Sequence, residues 1–132
     1  MSFAKKESYT LTIKISGYNN SKGQFAIALY NNKNQFTDNP WKSFQKSKST
    51  AVDSVVTLKL LHIPKGTYAI SFLDDENSNK KMDYAFLGYP KEGFGFSNNA
   101  KPGFLSAPKY KACTFEMNTN KELQLKVQYW SK

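Results

Sequence analysis

The chain predicts an all-β fold: a single antiparallel β-sandwich of the immunoglobulin or prealbumin-like Greek-key kind, with one short helix and a long ordered loop. Three observations carry that prediction. Six segments alternate apolar and polar residues with a period of two, as half-buried strands do. Clusters of Asn, Gly, Pro and Ser separate several of them, and these residues supply the backbone angles of tight reversals. Only one brief helical signal interrupts the pattern, and strands joined by short turns point to a sandwich.

A chain of 132 residues with 39% apolar and 15% aromatic content fits one domain with a real core. No internal repeat or linker divides 1–132, and 1–8 reads as a flexible tail. The first strand is Tyr9–Ser16, with Tyr9, Leu11, Ile13 and Ile15 on one face. Tyr18–Gly23 (YNNSKG) is turn chemistry, and Gln24–Tyr30 follows with Phe25, Ile27 and Leu29 inward, completing a hairpin. Residues 31–50 are polar and irregular. Within them Asp38-Asn39-Pro40-Trp41 reads as a helix start, a capping side chain followed by proline, with Trp41 and Phe44 covering one end of the core.

Alternation resumes over Val52–Leu60, with Val52, Val56, Leu58 and Leu60 on one face. Ile63-Pro64-Lys65-Gly66 turns the chain, and Tyr68, Ile70 and Phe72 face inward. Near the end, Cys113, Phe115 and Met117 share a face, so the single cysteine is expected to be a small core residue and an unreactive one. Asn118-Thr119-Asn120 turns again, and Leu123, Leu125, Val127 and Tyr129 form the last inward row. The expected core is Leu11, Ile13, Phe25, Ile27, Leu29, Leu58, Tyr68, Ile70, Phe115, Leu125 and Val127.

Between the fourth and fifth inward rows lies the long segment 74–109, where alternation stops. Four of the chain's ten acidic residues (Asp74, Asp75, Glu76, Asp83) fall in its first ten positions, although the net charge is +9. A connection this long in a compact domain is usually functional or disordered, and its many aromatics argue against disorder. Residues 75–83 (DENSNKKMD) place Asp75, Asn77, Asn79 and Asp83 at positions 1, 3, 5 and 9 of a short loop. Calcium loops use that spacing because alternate side chains of a tightly wound backbone converge on one hard cation. Lys80 stands at the sixth position, where glycine makes the sharp turn, and Phe86 occupies the twelfth, where an EF-hand has its bidentate carboxylate. The other reading is that the Asp and Asn side chains bond their own backbone and shape a turn.

Downstream, Gly93-Phe94-Gly95-Phe96 puts two rings on one side of an extended chain. These rings either anchor the loop on the sandwich or form a platform for a sugar, a base or a protein. With Tyr89, Asn98 and Asn99 they are the candidate ligand-binding residues. No zinc cluster, nucleophile elbow, phosphate-cradling loop or Ser-His-Asp spacing appears, so a binding role is favoured over an enzyme. The single histidine, His62, is expected to be structural or at the surface. A hydrolase would have to use loop carboxylates such as Asp74 with Glu92.

All nineteen basic residues are lysines, spread from Lys5 to Lys132, and arginine is absent. Arginine supplies the planar fork for phosphates and guanine edges, so this composition disfavours nucleic acid. A polyanion or nucleic-acid binder using lysines and exposed aromatics remains the alternative. No apolar run approaches the roughly 18 residues of a transmembrane helix, and the start, MSFAKKE, lacks the apolar region of a signal peptide. The chain is therefore either cytoplasmic or the mature form of an exported protein.

Three stretches carry a family resemblance: Pro64-Lys65-Gly66-Thr67-Tyr68-Ala69-Ile70, then DENSNKKMD, then Phe86–Ala100 (FLGYPKEGFGFSNNA). Over roughly Tyr9 to Tyr129 the chain resembles the bacterial domain of unknown function family 2141. The resemblance implies a small exported β-sandwich, periplasmic or secreted, and brings no established activity or functional residues. Members usually read more like DENGNGKLD. Ser78 and Lys80 stand here in place of the glycines, and Asp74 where histidine is common. The function expected is an extracytoplasmic binding module for a small molecule, glycan or protein, with calcium as a possible cofactor.

Overall fold

The computed structural model describes residues 7–76, 92–103 and 106–129. Among them are eight strands and one short α-helix: β1 (Ser8–Ser16), β2 (Gln24–Tyr30), β3 (Lys42–Ser47), β4 (Val56–Pro64), β5 (Gly66–Asp75), β6 (Phe94–Phe96), α1 (Tyr110–Cys113), β7 (Phe115–Met117) and β8 (Lys121–Lys126). They form two sheets, one ordered β4-β1-β8 and one ordered β3-β2-β5-β6, with β7 also pairing β5. Most neighbours are antiparallel, but β1 and β8 run parallel, with Ile13 opposite Leu123.

One apolar cluster draws on both sheets. Leu11, Ile13 and Ile15 of β1 meet Phe25, Ile27 and Leu29 of β2, together with Tyr68, Ile70 and Phe72 of β5. Phe115, Met117, Leu125 and Val127 complete it from the C-terminal part of the chain. The expected core residues are buried, except that Leu58 is half-buried and packs against the cluster's side. Cys113, at the end of α1, is fully buried with Phe115 and Met117. Burial pushes its thiol up to about 11, which keeps it protonated at neutral pH. His62 is exposed, with a left-handed φ of 61° in β4.

Several local expectations are corrected. The first two strands do not make a hairpin: β1 lies in the smaller sheet and β2 in the larger, so residues 17–23 carry the chain across the sandwich. The helix expected after Asp38 is a turn. Gln35 O accepts from the N–H groups of both Asp38 and Asn39, Thr37 takes a left-handed φ of 71°, and the Trp41 N–H bonds Leu29 O. The proline thus leads into β3, and Trp41 is exposed while Phe44 is half-buried. Val52 is 71% exposed, outside the strand assigned to it.

Strand β3 escaped notice for a physical reason. Its residues opposite the inward Leu29, Ile27 and Phe25 are Lys42, Phe44 and Lys46, so charge masks the alternation. Charged residues on an edge strand discourage pairing with another chain. Strand β6 is only three residues long, too short to announce itself.

The acidic end of the larger sheet

Strand β5 points Tyr68, Ile70 and Phe72 into the core, and the same parity delivers Asp74 to the next inward position, opposite Phe25. A carboxylate there has to be matched, because a lone buried charge is very costly. The match is Lys48, in the 3-10 turn Lys48–Thr50 that follows β3. Its amine pairs with Asp74 Oδ1, and both side chains are wholly enclosed. The Lys48 backbone N–H is held by Gly23 O at 3.1 Å, and its Nζ donates to Asn20 O at 3.0 Å. The rings of Tyr18 and Phe25 flank the ammonium at 5.3 and 5.5 Å.

Tyr129 closes the far side. Its hydroxyl donates to Asp74 Oδ2 at 3.2 Å and accepts the Asn19 N–H at 2.8 Å. Burial pushes the Asp74 carboxyl above the ordinary carboxylate range, against the pull of Lys48 and Tyr129. Burial likewise pushes Tyr129 up to about 12, with the Asp74 charge adding to the rise. Two glycines let the backbone close over this end. Gly23 has φ +79° and lies so near the Asp75 carbonyl that a Cβ would collide with it. A Cβ on Gly93 would run into Val127 and the Tyr129 ring. Glycine is what such close approaches require.

The opposite face of the sheet carries the other two carboxylates. The Asp74 N–H bonds Gly93 O at 2.8 Å, and Leu73 stands opposite Phe94. Continuing that register places Asp75 opposite Glu92. Both are buried, at 0% and 6% exposure. Gln24 Nε2 approaches Asp75 Oδ2 at 3.4 Å, and Glu92 Oε2 accepts the Glu76 N–H at 3.2 Å; neither carboxylate is limited to these contacts. The acid pair considered from sequence, Asp74 with Glu92, is therefore split between faces, and Asp75 takes the place across from Glu92.

Of the expected calcium ligands, Asp75 is the last residue of β5, while Asn77, Asn79 and Asp83 lie outside the described residues, as does Tyr89. Among the described residues, no three His, Cys, Asp or Glu side chains stand close enough to hold a metal.

Phe94 and Phe96 do share a side, as expected, and they face outward from the larger sheet, opposite Leu73 and Ser71. Phe94 is buried and Phe96 half-buried. Their rings lie 6.1 Å apart, and Phe36, from the β2–β3 connection, sits 6.4 Å from Phe96 and 5.4 Å from Tyr110. Asn98 and Asn99 adopt left-handed φ values of 61° and 51°. Asn98 Nδ2 donates to the carbonyls of Ala112 and Thr114, while Asn99 bonds both Gln124 O and the Lys126 N–H. Both asparagines thus staple the segment after β6 to α1 and β8.

Lys48, Tyr129 and Gln24 were missed from the sequence. One signal could have found Lys48: an aspartate in the inward parity of Tyr68, Ile70 and Phe72 demands a buried cation, and Lys48 stands with Lys42 and Lys46 in a run of three lysines within seven residues.

The outer face of the smaller sheet differs. Thr10, Thr12, Lys59, Asn120, Lys121 and Glu122 line a shallow open hollow of about 390 Å³. No helix among the described residues is long and apolar enough to cross a membrane. No curated protein and no solved structure matches the chain. The profile of a family described as an uncharacterized protein conserved in bacteria, DUF2141, matches residues 13–125. With that match spanning most of a two-sheet β fold, the chain belongs to this bacterial family of unknown function.

Proposed function

We propose that the chain is a non-enzymatic, extracytoplasmic binding module whose working end is the acidic end of the larger sheet. In this reading, Asp75, Asn77, Asn79 and Asp83 hold calcium weakly and stiffen the long loop. Tyr89, Phe94, Phe96, Asn98 and Asn99 then border the surface offered to a small molecule, glycan or protein. The observation that supports it is the anchoring of Asp75 at the end of β5, across from Glu92. One ligand of the loop is thereby fixed before a cation arrives, which lowers the ordering cost of binding. The extracytoplasmic setting rests on the family resemblance.

Two carboxylates and two amide oxygens make a modest field. It suits the weak extracellular class of site, with dissociation constants on the order of 10⁻⁴–10⁻³ M. Millimolar calcium is expected to raise the melting temperature slightly, since ligand at ten times its dissociation constant stabilises by only about 1.4 kcal/mol. Asp83→Ala abolishes the increment, as does Asp75→Ala. Lys80→Gly enlarges it by removing a positive charge and restoring the turn residue. Wild-type and Lys80→Gly proteins that both ignore calcium would sink the metal reading.

A second reading, polyanion binding, is favoured by the hollow on the smaller sheet, where Lys59 and Lys121 stand beside Thr10 and Thr12. Titration of a phosphate polymer across ionic strength separates the two. Affinity that falls steeply with salt and drops in Lys59→Ala supports the second reading.

A further inference from the structure

We propose that Lys48 and Asp74 are joined by an intramolecular isopeptide bond that forms inside the folded core and ties the turn after β3 to the end of β5. The pair is already in contact, Nζ against Oδ1, with both side chains sealed from solvent. Holding two reactants in contact replaces a bimolecular encounter with an effectively unimolecular step. Enclosure also keeps out the bulk water that would otherwise favour the free acid and amine.

The surroundings disfavour a charged carboxylate at Asp74. An ammonium and a carboxylate are costly in a low-dielectric site, and here Tyr18 and Phe25 form part of the wall. Passing one proton from Lys48 to Asp74 gives an amine and a carboxylic acid. Burial, which pushes the Asp74 carboxyl up, favours its acid form.

The hydrogen bonds around the pair are those an amide needs. Nζ donates to Asn20 O, and Oδ2 accepts from the Tyr129 hydroxyl. Oδ1, fully buried, accepts no hydrogen bond from a third group among the described residues, so it is the oxygen free to leave. The amine lone pair attacks Asp74 Cγ, and negative charge develops on Oδ2, where the Tyr129 hydroxyl stabilises it. The Nζ–Cγ bond forms and the Cγ–Oδ1 bond breaks. Oδ1 departs as water with two of the three ammonium protons, and the third remains on the amide, directed at Asn20 O. Two buried charges disappear and no redox partner is required.

The test is the intact mass of the purified full chain under denaturing conditions, followed by tandem mass spectrometry of its proteolytic peptides. The wild-type chain is expected to weigh one water less than its sequence, with Lys48 and Asp74 in one branched peptide. Lys48→Arg and Asp74→Ala are expected at the full mass of their own sequences. A wild-type chain at full sequence mass overturns the proposal, and so does a water loss that persists in Lys48→Arg.

Discussion

Lys14–Glu122 and Lys48–Asp74 are the same chemical pair in two settings. The first spans β1 and β8 on the outer face of the smaller sheet at 3.4 Å, with side chains 41% and 45% exposed. The Glu122 carboxyl is held below its ordinary value first by Gln124 and then by Lys14. The second pair is enclosed, ringed by aromatics, and its carboxyl is pushed up instead. Water decides the difference. Where it reaches both partners, the pair is a screened, optional contact; where it is excluded, each partner becomes obligatory for the other.

The largest expected effect follows from breaking the buried pair on one side. Lys48→Ala or Asp74→Ala leaves a lone buried charge and is expected to cost about 3–5 kcal/mol in denaturant unfolding. Lys48→Met combined with Asp74→Leu is expected to recover the part of that loss due to a stranded charge, but not the part due to the lost cross-link. A double variant as unstable as the singles would show that the cross-link and packing, rather than a stranded charge, govern this end.

An intermediate effect concerns Tyr129. Its folded value is raised from 10.0 to about 12, so its contribution is fully present below pH 10 and is lost as pH rises through about 12. Wild-type stability is therefore expected to fall over that alkaline window. Tyr129→Phe should lose that part of the slope while starting from a lower value. An equal slope in both proteins would place the alkaline sensitivity elsewhere.

The smallest effect belongs to the exposed pair. Lys14→Ala is expected to leave the melting temperature within measurement error at physiological salt, since screening and side-chain entropy already cancel most of the attraction. A clear loss would mean that the Thr and Lys rows of the smaller sheet act as a network.

Part of the site was legible in the sequence. Asp74, Asp75 and Glu92 stood out because acids cluster in a basic chain, and Phe94 with Phe96 were read on one side. Their faces could not be read. Whether Asp74 or Asp75 stands across from Glu92 depends on the β5–β6 register, which Leu73 opposite Phe94 sets. Asn98 and Asn99 were noticed as polar loop residues, yet their amides bond carbonyls of α1, β7's approach and β8. Those partners are distant in sequence.

By itself the sequence determined which side chains turn inward. Alternation encodes a buried face locally, so Leu11, Ile13, Phe25, Ile27, Tyr68 and Ile70 were identifiable without knowing what they touch. It also marked where the chain reverses, because Asn, Gly and Pro set backbone angles on their own. Only the tertiary structure decided which strand each reversal leads to. Residues 17–23 read as a hairpin, and the turn at Lys65 and residues 118–120 read as turns, yet each carries the chain from one sheet to the other. The partner of a strand depends on how two apolar faces close over each other, a condition no local window contains. The same holds for Lys48 and Asp74: the inward parity of Asp74 calls for a buried cation, but only the closed sandwich makes that cation Lys48.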